Sequence, residues 1–343
     1  MTSTQRRWTR RAVRGTLAGA VALLTAVTAA CGSQAGGSGD QPTVRYVNNS
    51  AQPLVGLVAE QEGFFTRSQV QVDFTEIQTG TEAIAGMLGG SSDFVTAADA
   101  RFVQAVSKQL PVVAVAVHNT GFLASLLVPA GDTATMSMED LRSKRIGIQL
   151  GSGVHTAWLR HLDAIGMKES DFQVVNLAVT DMPAALAGGS LDGALVWQPY
   201  VNRSVEAGLT RVAMTPDRIA GPAGVIYPFY VLTTRSMVDE RPDDVQRFVS
   251  ALVCAEGWIT QNPDASVGLL EPEYRGLSRD TVQAIFAEQT YGAHVAVDDE
   301  VLADTTAQAR KLTELGSIPM VPDLAANVDT QFTDAAAAQG CAA

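Results

Sequence analysis

The sequence predicts an α/β protein of two lobes, each an open sheet flanked by helices and joined by two crossings of the chain. Three observations lead there. Short apolar runs of strand length alternate with segments of helical period, the pattern of an α/β sheet. One strand–helix–strand–helix–strand unit, residues 144–200, is echoed about a hundred residues upstream. Finally, apolar strands beginning at Ala124 and Val225 stand where the chain would leave the first unit and return to it.

The echo is carried by residues. Leu88-Gly89-Gly90-Ser91-Ser92-Asp93-Phe94 matches Ala187-Gly188-Gly189-Ser190-Leu191-Asp192-Gly193. Working back from there, the strand 70–77 matches 171–176, Thr79-Gly80-Thr81 matches Ala178-Val179-Thr180, and the strand at Arg45 falls near that at Arg145. Units of this size are domains, not the short-period repeats of a solenoid.

At the amino end, Arg6, Arg7, Arg10, Arg11 and Arg14 precede an apolar run from Leu17 to Val27 that is short for a membrane span. It ends in Thr28-Ala29-Ala30-Cys31, similar to a bacterial lipobox except that Thr28 replaces the usual leucine. Residues 1–30 are read as a lipoprotein signal peptide, Cys31 as the lipidated residue, and 31–41 as a Gly/Ser-rich tether. The alternative is plain cleavage after Ala30; paired arginines leave the twin-arginine route open. Either way the expected location is extracytoplasmic, and in the lipoprotein reading the lipid on Cys31 anchors the protein to the cell membrane.

Composition narrows the partners. The chain has 24 Lys+Arg against 36 Asp+Glu, net −12, and loses only cations with the export segment. Nucleic acid is therefore excluded as a natural partner. Of the 3 cysteines, Cys254 and Cys341 remain after Cys31, and an oxidising compartment favours a disulfide between them. A buried free Cys254 is the alternative.

Lobe 1 is expected from 42–123 and 226–343, lobe 2 from 124–225. Within them, strands at 43–47, 70–77 and 94–96 each deliver a loop at the carboxyl end, where ligands bind in open α/β sheets. Arg145–Leu150 is a short strand leading into Gly151-Ser152-Gly153-Val154-His155 and a helix with Val154, Ala157, Trp158, Leu162 and Ile165 on one stripe. Close-packed glycines and a helix start suit an anionic or polar group. The helix opening at Leu54 is expected to close at Gly63-Phe64-Phe65; further helices are expected at 242–261, 281–288 and 300–315, and after Pro322.

With these pieces placed, the chain resembles the extracytoplasmic solute-binding proteins of ABC importers in the aliphatic-sulfonate, taurine, nitrate and thiamine-precursor group. The residues carrying the resemblance are Lys144-Arg145-Ile146-Gly147, Gly151-Ser152-Gly153-Val154-His155, the Gly188-Gly189 segment and Trp197-Gln198-Pro199-Tyr200. Gln198 stands where that last motif commonly carries an acid. The resemblance implies a type II periplasmic-binding-protein fold with two hinge crossings, no cofactor, and a monomer closing on a small-molecule solute before meeting membrane permease subunits. A sulfonate-like organic anion is the first choice.

Ligand contacts are expected from Asn49, Gln52, Thr79, Gly80, Thr81 and Asp99 on one lobe, and from Ser152, Gly153, His155 and Trp197 on the other, with Tyr227 or Trp197 covering the apolar part. Each has a bland counterpart: Asn49 a turn, Asp99 a helix cap, His155 a packed first helical turn, Trp197 core. Arg101, beside the third loop, is either a direct positive contact or a solvated helix residue, and the latter reading is favoured. An enzyme of thiamine-precursor or menaquinone type with the same architecture is the competing class, and a sensor without a transport role the third. Against the enzyme, the sequence has no HExxH, no metal spacing among His118, His155, His161 and His294, no P-loop, no GxGxxG and no Gly-x-Ser-x-Gly elbow.

Overall fold

The computed structural model describes residues 41–77 and 80–341. The export segment, Cys31 with the tether up to residue 40, and Thr79 lie outside the described residues. From the amino end come β1 (Thr43–Asn49), α1 (Leu54–Gln61), α2 (Phe64–Arg67), β2 (Gln71–Ile77), α3 (Gly80–Leu88), β3 (Phe94–Ala98), α4 (Asp99–Ser107) and β4 (Val112–Thr120). The expected close of the first helix is a break: α1 stops at Gln61, and Gly63, at φ 73°, starts α2 from a left-handed conformation.

The chain then builds a second sheet with β5 (Ala124–Pro129), β6 (Arg145–Ile148), α5 (Gly153–Ala164), β7 (Gln173–Asn176), α6 (Met182–Ala187), β8 (Gly193–Trp197), α7 (Tyr200–Glu206), β9 (Thr210–Met214) and α8 (Pro216–Ala220). It returns through β10 (Pro228–Thr234) and finishes in helices α9 (Arg235–Glu240), α10 (Pro242–Gln261), α11 (Pro263–Leu270), α12 (Arg279–Ala287), α13 (Asp299–Glu314) and α14 (Gln331–Gln339).

Two five-stranded sheets result, ordered β2-β1-β3-β10-β4 and β7-β6-β8-β5-β9. In each, three parallel strands lie beside an antiparallel fourth, β10 in the first and β5 in the second. Those two antiparallel strands are the ones that follow the crossings, so the same rule builds both lobes. Pseudo-repetition extends to side chains. The Arg45 amide and Nε donate to Asp93 Oδ2 at 2.8 and 3.1 Å, with Nη2 on Oδ1 at 2.9 Å. Arg145 holds Asp192 in the same fork at 2.9, 3.0 and 2.9 Å.

Each sheet carries apolar packing on both faces, as a doubly wound sheet requires. Tyr46, Phe94 and Phe248 of α10 centre one core of the first sheet, Phe94 and Phe248 stacking at 4.1 Å. Phe102 and Tyr230 centre the other. In the second sheet Trp158 fills one face and Leu127, Met182 and Leu186 the other. Cys254 of α10 is disulfide-bonded to Cys341, Cα–Cα 5.4 Å, which ties the end of the chain to the longest helix.

The two sheets are also bridged by helices. Arg160 of α5 pairs with Asp304 of α13 at 2.7 Å, both side chains nearly buried, and Arg160 Nη2 also donates to the carbonyls of Ala223 and Gly224 before β10.

Candidate functional site

A cavity of about 500 Å³ opens between the two sheets. Its walls come from the carboxyl ends of parallel strands and the loops that follow them: Asn49–Gln52 at β1, Gly80 after β2, Ala98 and Arg101 at β3, Gln149 and Ser152–Val154 after β6, Ala178–Thr180 after β7, and Trp197–Tyr200 at β8. Leu123 at one crossing and Tyr227 at the other complete the floor. The carboxyl ends of both sheets therefore face one crevice, the position expected for a ligand.

The loop after β6 is shaped by its own hydrogen bonds. Ser152 caps α5, its hydroxyl accepting from the His155 amide at 3.1 Å. Gly153 and Val154, first in α5, line the cavity, and amides at that position have no intrahelical acceptor. A helix start of this kind carries partial positive charge. Ser152 thus lines the cavity, but its oxygen already serves the helix.

His155 does not line the cavity. Its Nδ1 accepts from the Gly151 amide at 3.2 Å, and its Nε2 faces Glu169 Oε1 at 3.0 Å. An acceptor Nδ1 places the ring proton on Nε2. The ring thus holds the Gly151–Gly153 turn from behind, with only 3% of the residue exposed.

Asp99 is likewise withdrawn. It is buried at the start of α4, accepting from the Ala100 amide at 2.6 Å and from Gln308 Nε2 at 3.5 Å. Burial, and the nearby Asp304 carboxylate, push its carboxyl up to about 8. It is not an N-cap, since Ala98 holds that position. Thr81, in the first turn of α3, also does not line the cavity, whereas Gly80 does.

Asn49 and Gln52 both reach the cavity. Asn49 Oδ1 accepts from the Ala51 amide at 2.9 Å, forming the turn, and Gln52 Oε1 accepts from Asn119 Nδ2 at 3.0 Å. On the opposite wall, Gln198 Nε2 lies 3.5 Å from Glu288 Oε2, a carboxyl that burial pushes up to about 7. Trp197 and Tyr227 both line the cavity. Tyr227 has φ 55°, in the left-handed region, and its amide donates to Asp304 Oδ2 at 3.3 Å.

Arg101, expected in solvent, is instead part of the wall, its Nη1 on Gln104 Oε1 at 2.8 Å. A helix beginning at Asp99 turns residue 101 toward the crevice, so the expectation is corrected. Arg203 of α7 was not anticipated; it sits three residues past Tyr200, the spacing that places both on one helix face. Glu273 and Tyr274, from the turn after α11, also line the cavity and had no sequence signal.

The geometry is that of a crevice between sheets of like topology, and the comparisons agree. The family model described as "NMT1/THI5 like" matches residues 52–266. The chain belongs to the NMT1/THI5-like family. Relatives of this NMT1/THI5-like chain include the taurine-binding periplasmic protein of Escherichia coli (strain K12), 28% identical over 234 residues, covering 67% of this chain and 69% of that one. A Bacillus subtilis (strain 168) protein named for aliphatic sulfonate binding is 21% identical over 284 residues, 80% and 83% of the two chains. Among solved structures, the aliphatic sulphonate binding protein SsuA of Escherichia coli superposes with TM-score 0.72 at 19% identity, over 84% of this chain and 92% of that one. The desulfurization enzyme DSZB superposes with TM-score 0.67 at 18% identity, over 87% and 99%. The two-lobed α/β fold of periplasmic binding proteins is thus shared by binders and by an enzyme.

Proposed function

We propose that this protein is the solute-binding component of an ABC importer, capturing a small organic anion of sulfonate type by closure of two lobes, 42–123 with 226–343 and 124–225. The observation that carries the reading is the crevice itself. Gly153 and Val154 at the start of α5 on one wall and Arg101 on the other line a common space, with Arg203 also in the lining and Glu273 the one carboxylate among the described lining residues. Anion contacts shared between lobes favour the closed form, so binding shifts the open–closed equilibrium. The names of the taurine and sulfonate relatives point to the same solute class. The acidic overall charge is outweighed locally, because screened surface charges act weakly across more than a Debye length of about 8–10 Å.

In this reading the lipid on Cys31 keeps the monomer at the membrane beside its permease. The enzyme reading, kept open by the fold shared with DSZB, has less support. No cysteine or histidine is among the described lining residues, and Cys254 and Cys341 are joined to each other.

Thermal unfolding of the purified protein against taurine, alkane- and arenesulfonates, nitrate and pyrimidines tests the proposal. A ligand at about 1,000 times its dissociation constant adds roughly 4 kcal/mol of stability. A shift for sulfonates, lost in Trp197→Ala/Arg101→Ala, supports it. Turnover of a sulfonate or sulfinate without a stoichiometric complex supports the enzyme instead.

A further inference from the structure

We infer that the solute of this site carries an aromatic ring beside its anionic group: an arenesulfonate-like ion, not a short alkyl one. The inference rests on the anion-binding reading above and narrows it. Five aromatic residues are among the described lining residues, and they come from both lobes and the crossing between them: Trp197 and Tyr200 from the second sheet and its following helix, Tyr227 from the crossing, Phe229 and Tyr274 from the first lobe. Cavities of about 300–1,000 Å³ bury drug-sized ligands. At about 500 Å³, this one leaves a two-carbon sulfonate surrounded mostly by water.

Chemistry separates a ring from a chain of equal carbon count. Both hide similar apolar area, but a flat ring adds offset or edge contacts to the aromatic walls. A ring also has no rotors to freeze, whereas a hexyl chain loses rotamer freedom on binding. The two guanidiniums, Arg101 on α4 and Arg203 on α7, stand on opposite lobes. Planar guanidinium suits both an oxoanion and the face of a ring. Tyr227 and Phe229 are already packed ring to ring at 5.7 Å, with Phe122 edge-on to Tyr227 at 5.3 Å. That part of the aromatic wall is therefore set before a ligand arrives.

The test is calorimetric titration of the purified protein, stripped by unfolding and refolding, with benzenesulfonate, hexane-1-sulfonate and taurine. Benzenesulfonate is expected to bind at least about tenfold more tightly than hexane-1-sulfonate, the stacking increment expressed as affinity. Trp197→Leu should weaken benzenesulfonate more than it weakens hexane-1-sulfonate and so shrink that ratio, and Trp197→Phe should keep the ratio. A fall in stability alone would weaken both ligands together; should Trp197→Leu not fold, Tyr274→Leu is read in the same way. Equal or tighter binding of hexane-1-sulfonate or taurine overturns the aromatic inference and leaves the anion-binding reading standing. Binding of none of the three overturns both.

Discussion

The Tyr227 hydroxyl occupies the space that a side chain on Gly153 would need: a Cβ on Gly153 would collide with that oxygen. A residue from the return crossing thus packs against the loop after β6 in the second lobe. Gly153→Ala forces the tyrosine ring or the start of α5 to move, at a cost of about 1–3 kcal/mol. Chemical denaturation should show that loss, and titration with the best sulfonate should show weaker binding. Tyr227→Ala in the same chain should restore stability toward that of Tyr227→Ala alone.

Arg160 and Asp304 link α5 to α13 with side chains only 10% and 4% exposed. Removing one partner strands the other in a poor solvent. Arg160→Ala should cost about 3–5 kcal/mol. An apolar replacement of both partners should cost less than the single change, and urea melts of the three variants measure the difference.

Asp99 carries a pH signature. Its carboxyl, pushed up to about 8, lies above the ordinary value of 3.8, so the folded protein keeps a proton that the unfolded chain has released. The contribution is fully present below the unfolded value and is lost as pH rises through the folded one. Stability should therefore fall by up to about 1.4 kcal/mol per pH unit between these limits from this group. Burial raises its pKa most, followed by the Asp304 carboxylate, against the Ala100 amide and Arg160, which lower it; Gln308, Tyr227 and Tyr230 also lie nearby. Asp99→Asn should remove that part of the slope, read as the difference between the two proteins' melts across pH 4–8.

Reduction should loosen the tail. The Cys254–Cys341 bond spans 87 residues and holds the segment after α14 against α10. Closing a long loop typically stabilises by about 2–4 kcal/mol. A Cys341→Ser variant should melt lower than the parent in guanidinium, and adding reductant should lower the parent alone.

Much of the architecture was legible because the chain says it twice. The Gly-Gly-Ser-x-Asp segments before β3 and β8 align, and their Asp93 and Asp192 form the same fork with Arg45 and Arg145. Helix α10 was readable from end to end because Val245, Phe248, Val249 and Leu252 form one buried stripe. The site was legible as loops and less so as side chains. Local pattern places His155 and Asp99 at helix starts, but only tertiary packing turns them away, His155 toward Glu169 and Asp99 toward Gln308. Glu273 and Tyr274 reach the cavity from the turn after α11, distant in sequence, a placement no periodicity encodes. Arg101 lines the cavity where the favoured reading put it in solvent, because a single cation near a helix start looks the same in solvent as in a crevice.

The most direct measurement is titration of ligand-stripped protein with a sulfonate panel, for the parent and for Arg101→Ala/Arg203→Ala. The account predicts one solute per chain for the parent, and affinity lowered at least about tenfold in the double variant, since each charge-assisted contact is worth about 1.5–3 kcal/mol. Sulfonate binding that survives the double substitution unchanged, or no binding by the parent, would contradict it.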